Sequence, residues 1–219
     1  MTNNRKNGSI LVGILCGLLA VVLLTALAVG LLLSGTWLYN FEIDVLDIVG
    51  YSGFDKATIL SNYRAVIRFL SPFHFGEFEM PDLPASPGGT QHFDEVKNIV
   101  IGLYIAGLIC LLSLILLIIF VKKKLGPRTF FAAGVATINL PLLLLAGIMI
   151  DFDSFFVLFH KIFFKNDYWI FDSVTDPVIR ILPETYFMHC AVVIVLFWVL
   201  GSIAFFLISH RERKKVAEK

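Results

Sequence analysis

Four stretches of this 219-residue chain contain no aspartate, glutamate, lysine or arginine: residues 10–33, 98–121, 130–150 and 187–208. Each is close to the ~20 apolar residues that cross a bilayer core as a helix. With 58% of all residues hydrophobic, a soluble domain of ordinary composition is excluded. The first run follows Arg5 and Lys6, but it is longer than a signal-peptide core and no small-residue cleavage pattern closes it, so a span is predicted instead. Cysteine is equally informative by its scarcity. Cys16, Cys110 and Cys190 all fall inside the apolar runs, which leaves the intervening segments without a disulfide framework, a paired-cysteine redox site or a thiolate zinc site. No HisGluXxxXxxHis or GlyXxxSerXxxGly element is present, which argues against a zinc protease and a serine hydrolase. The runs also lack the carboxylates or cations that line an ion pathway, His189 near one edge being the sole exception. No internal repeat is evident, and no cofactor is expected.

The charges that are present are distributed unevenly. Eleven of the 18 lysines and arginines lie in residues 1–9, 122–129 and 209–219, whereas residues 34–97 and 151–186 carry 15 acids against 7 bases. The positive-inside rule then predicts an all-α integral membrane protein with both termini cytoplasmic. In that reading the first span is 10–33, an outer loop covers 34–97, the second span is 98–121 and a cytoplasmic loop covers 122–129. The third span is 130–150, a second outer loop is 151–186, the fourth span is 187–208, and 209–219 is a cytoplasmic tail. The basic segments set topology, and the net charge of +1 gives no case for nucleic acid. The two outer loops are expected to carry interfacial helices and the working part of the protein.

Local patterns fill in those loops. TrpLeuTyr at 37–39 reads as an aromatic interface anchor. Asp55 is a candidate N-cap for a helix to Leu70, because Ile59, Tyr63, Val66, Ile67 and Leu70 recur at helical spacing. Pro72, Pro81, Pro84, Pro87, Gly88 and Gly89 make 71–90 irregular, an extended hairpin or lid. Thr90 is the candidate cap for the following helix, and Asp94 and Glu95 suit its positive end. Within the third span, Thr137 and Asn139 beside Pro141 are expected to bond neighbouring backbone. Phe152, Phe155, Phe156, Phe159, Ile162 and Phe163 share one helical face, too short to span, so this helix is predicted to lie in the interface plane. His160 falls on the edge of that face, where it would meet both lipid and water. AsnAspTyrTrp at 166–169 reads as a turn with a tryptophan anchor, AspPro at 176–177 and ProGlu at 183–184 as helix starts.

The chemistry is expected between Leu158 and Phe187, which crowds His160, Asn166, Asp167, Asp172, Asp176, Arg180 and Glu184 among aromatics. An imidazole shuttles protons near neutral pH. His92, beside Asp94 and Glu95, and His160, close before Asn166 and Asp167, are the candidate catalytic pair, with Asp94, Asn166, Asp167 and Glu184 as candidate supporting groups. A metal site would need ligands from distant segments and is not favoured. Cys190 is the one thiol near the outer surface, but its neighbour His189 points about 100° away on a helix. A non-catalytic binding or assembly module is the alternative, because aromatic loops also form protein interfaces.

The four spans, PheHis at 159–160, PheXxxAsnAspXxxTrp at 164–169, AspPro at 176–177, LeuProGlu at 182–184 and HisXxxAspXxxVal at 92–96 together resemble the bacterial lipoprotein intramolecular transacylase family. The chain departs from the family pattern at Phe93, where a methionine is expected. The resemblance implies a membrane enzyme of Gram-positive bacteria. Its substrate is a lipoprotein with a diacylglyceryl-modified N-terminal cysteine, whose sn-2 acyl chain moves to the cysteine α-amino group. The product is an N-acylated lyso-form lipoprotein. It further implies catalysis at His92 and His160 on the outer face, membrane lipid as surroundings, and action as a monomer.

Overall fold

The chain folds entirely as helices and connecting turns in the computed structural model, which describes the backbone of residues 2–121 and 125–218. The side chains at 2–8, 140 and 148 fall outside that description, as do Lys122, Lys123 and Lys124 of the connection expected at 122–129. In chain order the α-helices are α1 (Thr2–Leu33), α2 (Trp37–Val45), α3 (Ile48–Ser52), α4 (Lys56–Phe69), α5 (Pro87–Val121), α6 (Pro127–Ile150), α7 (Phe152–Phe163) and α8 (Glu184–Ala217), with a 3₁₀ turn at Pro177–Arg180 before α8. Helices α1, α5, α6 and α8 are long and apolar enough to cross a membrane. This is an all-α integral membrane protein with four spans. Helix is the required form there, because lipid offers no partner to an open backbone N–H or C=O.

The chain forms two compact units. One comprises Met1–Ala28, Leu103–Met149 and Val192–Lys219. Its helices approach through small residues. A Cβ on Gly13 would collide with the Thr129 carbonyl oxygen, and one on Gly17 would sit 2.6 Å from the Ala133 carbonyl oxygen. This four-residue spacing of glycines lets two backbones meet where no hydrophobic effect drives helices together. Polar side chains then bond across helices: Trp198 Nε1–H donates to Thr25 Oγ1 at 3.0 Å, Ser202 Oγ to the Gly134 carbonyl at 2.9 Å and Ser209 Oγ to the Pro127 carbonyl at 2.7 Å. Within α6, Thr137 Oγ1 donates to the Ala133 carbonyl and Asn139 Nδ2 to that of Val135. Both are therefore partners of the helix backbone near Pro141, as their sequence setting predicts.

The other unit comprises Val29–Gly102 and Ile150–Ala191 and holds the larger core. Asp55 caps α4, accepting from the backbone N–H of Ala57 and Thr58 and from the Thr58 hydroxyl, bonds that hold its carboxyl below its ordinary range. The apolar stripe of α4 is buried. Tyr63 stacks on Tyr39 with ring centroids 3.7 Å apart, the Tyr39 hydroxyl donates to the Ile181 carbonyl, and the Tyr63 and Tyr186 hydroxyls lie 2.7 Å apart. Burial raises the Tyr63 phenol to about 12 and that of Tyr39 further, so both are neutral donors at physiological pH. Asn62, fully buried, staples the 81–83 turn onto α4: its Nδ2 donates to Asp82 Oδ2 at 3.0 Å and its Oδ1 accepts the Asp82 N–H at 3.2 Å. Glu42, 2% exposed, finds its partner in His189, with Oε2 2.9 Å from Nδ1 at an angle poor for a hydrogen bond.

Two local expectations change. Helix α5 begins at Pro87 rather than after Thr90, because Ser86 caps it: its hydroxyl accepts the Gly89 N–H at 3.0 Å and its carbonyl the Thr90 N–H at 2.9 Å. Proline suits the first helical position, where an N–H would lack a partner. The segment after the first span, read from sequence only as an aromatic anchor, folds into α2 and α3. Gly17→Leu is expected to wedge α1 from α6 and destabilise the protein by about 1–3 kcal/mol. Thermal unfolding in detergent, followed by circular dichroism, checks this against Gly35→Leu, where an added Cβ meets nothing within 4 Å.

Candidate active site

His160 lies near the end of α7, a helix started by Asp151, whose carboxylate accepts the Ser154 N–H at 3.1 Å and the Ser154 hydroxyl at 2.6 Å. One turn back along the helix, the Phe156 carbonyl lies 2.7 Å from His160 Nδ1. A carbonyl only accepts, so this bond assigns the proton to Nδ1 and leaves the lone pair on Nε2. The imidazole is 8% exposed, with the Trp169 ring stacked at 4.7 Å and the rings of Phe156 and Phe164 at 4.2 and 5.6 Å. Burial pushes its pKa down, and the Phe156 carbonyl bond opposes that shift without overcoming it. His160 is neutral near pH 7.

Placement of His160 differs from the open lipid-to-water edge that the helical wheel predicts. Leu158, Phe159, Ile162 and Phe163 carry the exposed apolar face of α7, while His160 turns inward. The reason lies past the helix end. At Phe164 the backbone becomes extended and the chain doubles back, laying Phe164 and Trp169 against the ring. A wheel built on one helix holds no information about a later segment.

His92 sits in the second turn of α5 and is 6% exposed. Its ring centroid is 5.9 Å from that of His160, with 33° between the planes, and Phe164 and Phe171 pack on it at 4.7 and 5.4 Å. Among the described residues its buried Nδ1 has no hydrogen-bond partner. Buried polar atoms are nearly always satisfied, so this orphaned nitrogen beside a second imidazole is an exception. The two candidate histidines are thus brought together, 68 positions apart in sequence.

The candidate supporting groups divide. Asn166 is part of the site's frame: its Nδ2 donates to both oxygens of Glu95, at 2.8 and 3.1 Å, its Oδ1 accepts the Tyr168 N–H and its carbonyl accepts the indole N–H of Trp169. One side chain therefore ties the helix of His92 to the loop that stacks on His160. Asp94 and Asp167 are exposed, with no side-chain hydrogen bond or ion pair, and no carboxylate pairs with either catalytic candidate among the described residues. Glu184 opens α8, exposed and beside Asp153 of α7. Cys190 packs against the core around Tyr186, and no three histidine, cysteine or carboxylate side chains converge among the described residues.

Glu95 and Asp176 complete the frame, and sequence reasoning assigned neither to it. Asp176 is 4% exposed and accepts the Ser86 N–H at 2.7 Å and the Thr175 hydroxyl at 2.8 Å. Any Cβ at Gly89 would strike its carboxylate. The ProGlyGly start of α5 therefore docks directly on this loop. The AspPro motif marks the residue, but no local pattern reveals a partner 90 positions away.

Comparison with known proteins identifies the relatives of the whole chain. Residues 13–187 match the family model described as lipoprotein intramolecular transacylase Lit. A structure of the membrane-integral lipoprotein intramolecular transacylase Lit from Bacillus cereus is 35% identical, covers 97% of this chain and 99% of its own, and superposes with a TM-score of 0.89. Two further structures of that protein, carrying arginine or alanine in place of one histidine, are each 34% identical, with TM-scores of 0.83 and 0.85. They cover 99% and 100% of this chain and 96% and 99% of their own. No curated protein matches. Identity at this level over nearly the whole of both chains carries more than a shared architecture: the chain belongs to the lipoprotein intramolecular transacylase family and is a membrane-integral acyltransferase.

Proposed function

We propose that this enzyme moves the sn-2 acyl chain of a diacylglyceryl-modified cysteine onto the α-amino group of the same cysteine, with His160 as general base and then acid. The observation that carries the reading is the pair of neutral, buried imidazoles, one with a free Nε2 lone pair and the other with an unpartnered Nδ1, held 5.9 Å apart by centroid in an aromatic cage. The α-amino group has a pKa of ~8, so an imidazole removes its proton at modest cost. The freed amine attacks the ester carbonyl carbon, forming the C–N bond. The carbonyl oxygen takes up negative charge, and an N–H from His92 serves as its donor. Collapse breaks the bond to the glycerol C2 oxygen, and His160 returns to that oxygen the proton it took from nitrogen. The adduct nitrogen loses its remaining extra proton to water, so ammonium and ester give amide and hydroxyl with one proton released and no acyl-enzyme.

Tethering is what makes a single base sufficient. Nucleophile and ester belong to one molecule, so holding the reactive conformer replaces a bimolecular encounter and removes several kcal/mol of barrier. Both histidines come from one chain, so one copy suffices. The dry aromatic walls strengthen the interaction of His92 with the developing oxyanion. The excess of lysine and arginine at 1–9, 122–129 and 209–219 supports cytoplasmic termini and a site on the outer face, where lipidated N-termini reside.

Three outcomes test the mechanism. In mass spectra of lipoprotein N-termini, cells with the wild-type chain show the N-acyl lyso form. His160→Ala, inserted to the same level, lowers its formation by roughly 10²- to 10⁴-fold; unchanged conversion excludes His160 as the base. The pH profile carries the sign of the shift. Because burial holds the folded His160 below the ordinary value of ~6.5, kcat is flat near neutrality and falls as pH drops through a midpoint under that value; a midpoint above it contradicts a neutral buried base. Asn166→Asp sets two carboxylates against each other and lowers kcat about 10-fold or more. Adding Glu95→Gln reverses donor and acceptor and restores activity, which a merely damaged fold would not do.

A further inference from the structure

The segment joining α4 to α5 bears two phenylalanines in the open: Phe73 is 84% exposed and Phe75 is 94% exposed. It is tied to the second long helix by Lys97. This lysine donates from Nζ to the His74 carbonyl at 2.8 Å and lies over the Phe69 ring, 4.3 Å from the centroid. Lys97 is also the last charged residue before the charge-free run 98–121 of the same helix. The loop is therefore tied to the start of that run, and aromatic rings are favoured at bilayer interfaces.

Beside this loop, on the exposed face of α4, lie two adjoining grooves of about 350 and 450 Å³ that share Ala65, Arg68 and Glu79. Arg64 and Arg68, one helical turn apart, supply the cations; Glu77 and Glu79 of the loop supply the anions. His74 lines the first groove. Two acids and two bases at one rim ordinarily pair, yet none of these four forms an ion pair among the described residues. The grooves present separated positive and negative groups, open to an occupant that carries both.

We propose that this surface binds a bilayer phospholipid whose headgroup carries a phosphate and a primary ammonium, the phosphate on Arg64 and Arg68, the ammonium on Glu77 and Glu79, with Phe73 and Phe75 among its acyl chains. Guanidinium forks match phosphate oxygens, and an ammonium offers N–H donors to carboxylates. A purely anionic headgroup would meet Glu77 and Glu79 with repulsion. A choline headgroup would bring a cation without N–H donors. The surface is separate from the histidine pair and independent of the acyl-transfer mechanism.

Native mass spectrometry of the full-length protein released from nanodiscs of mixed phosphatidylethanolamine, phosphatidylglycerol and phosphatidylcholine tests this. Wild type is expected to retain phosphatidylethanolamine above the other two. Arg64→Gln with Arg68→Gln weakens that retention about fivefold per arginine, and Glu77→Gln with Glu79→Gln inverts the preference toward phosphatidylglycerol. Equal retention of all three lipids, or a wild-type preference for phosphatidylglycerol, overturns the proposal, as does a preference that survives both pairs of substitutions. Phe75→Trp reads the depth of the loop: its added emission is expected to be quenched by bromines on the upper acyl chain, and quenching by aqueous acrylamide alone overturns the membrane placement. Circular dichroism and retained lipoprotein conversion verify that each variant is folded.

Discussion

An ion is expensive to hold among aromatic rings at the border of a bilayer, and among the described residues no carboxylate pairs with either of the two caged imidazoles. The two imidazoles are buried and neutral. The group that orients His160 is a backbone carbonyl, that of Phe156, where soluble enzymes often use a carboxylate. A buried carboxylate beside the imidazole would stabilise the protonated ring. Carboxylates do serve the site, one step removed. Glu95 and Asp176 spend their charge on Asn166, Ser86 and Thr175 and so fix backbone segments rather than the reacting groups.

The two units are built on different packing rules. Among Met1–Ala28, Leu103–Met149 and Val192–Lys219, backbones come close through Gly13 and Gly17, and hydroxyl or indole donors reach across to carbonyls. Small residues and satisfied donors are what hold helices together in lipid, since lipid tails are as apolar as leucine. In the unit of Val29–Gly102 and Ile150–Ala191, the tyrosine stack and its hydroxyl bonds instead resemble the core of a soluble protein, with the rings of Tyr39, Tyr63 and Tyr186 buried and each of their hydroxyls given a partner.

How much of this is legible in the sequence follows from the range of each signal. The four spans can be read directly, because the absence of charge over some twenty residues is a local property with a single physical cause. The cap at Asp55, the stripe of α4 and the aromatic face of α7 are likewise local. The start of α5 is less so. The sequence reading puts the cap at Thr90, whereas Ser86 serves, and the Asp176 carboxylate that receives the Ser86 N–H lies far along the chain. His92 and His160 stand out as residue types in a suggestive setting, and their juxtaposition is a tertiary fact. So is the bond from Asn166 to Glu95: the asparagine is conspicuous in its motif, but its partner looks like an ordinary acid favouring a helix start. The nearby acids Asp94 and Asp167, the supports expected from sequence, are exposed instead. Proximity along the chain is a poor guide to partnership once a loop folds back.

The outward face of α7 has one more implication. Leu158, Phe159, Ile162 and Phe163 leave the back of the His160 helix bare of protein, so the outermost layer of insulation around that imidazole is made of whatever amphiphile surrounds the molecule. The dielectric around that imidazole is thus partly a property of the solvent. Detergent headgroup size, acyl-chain order and the water that each admits become tuning parameters of the same kind as a mutation, and the enzyme's proton affinity belongs to the protein together with its lipid annulus.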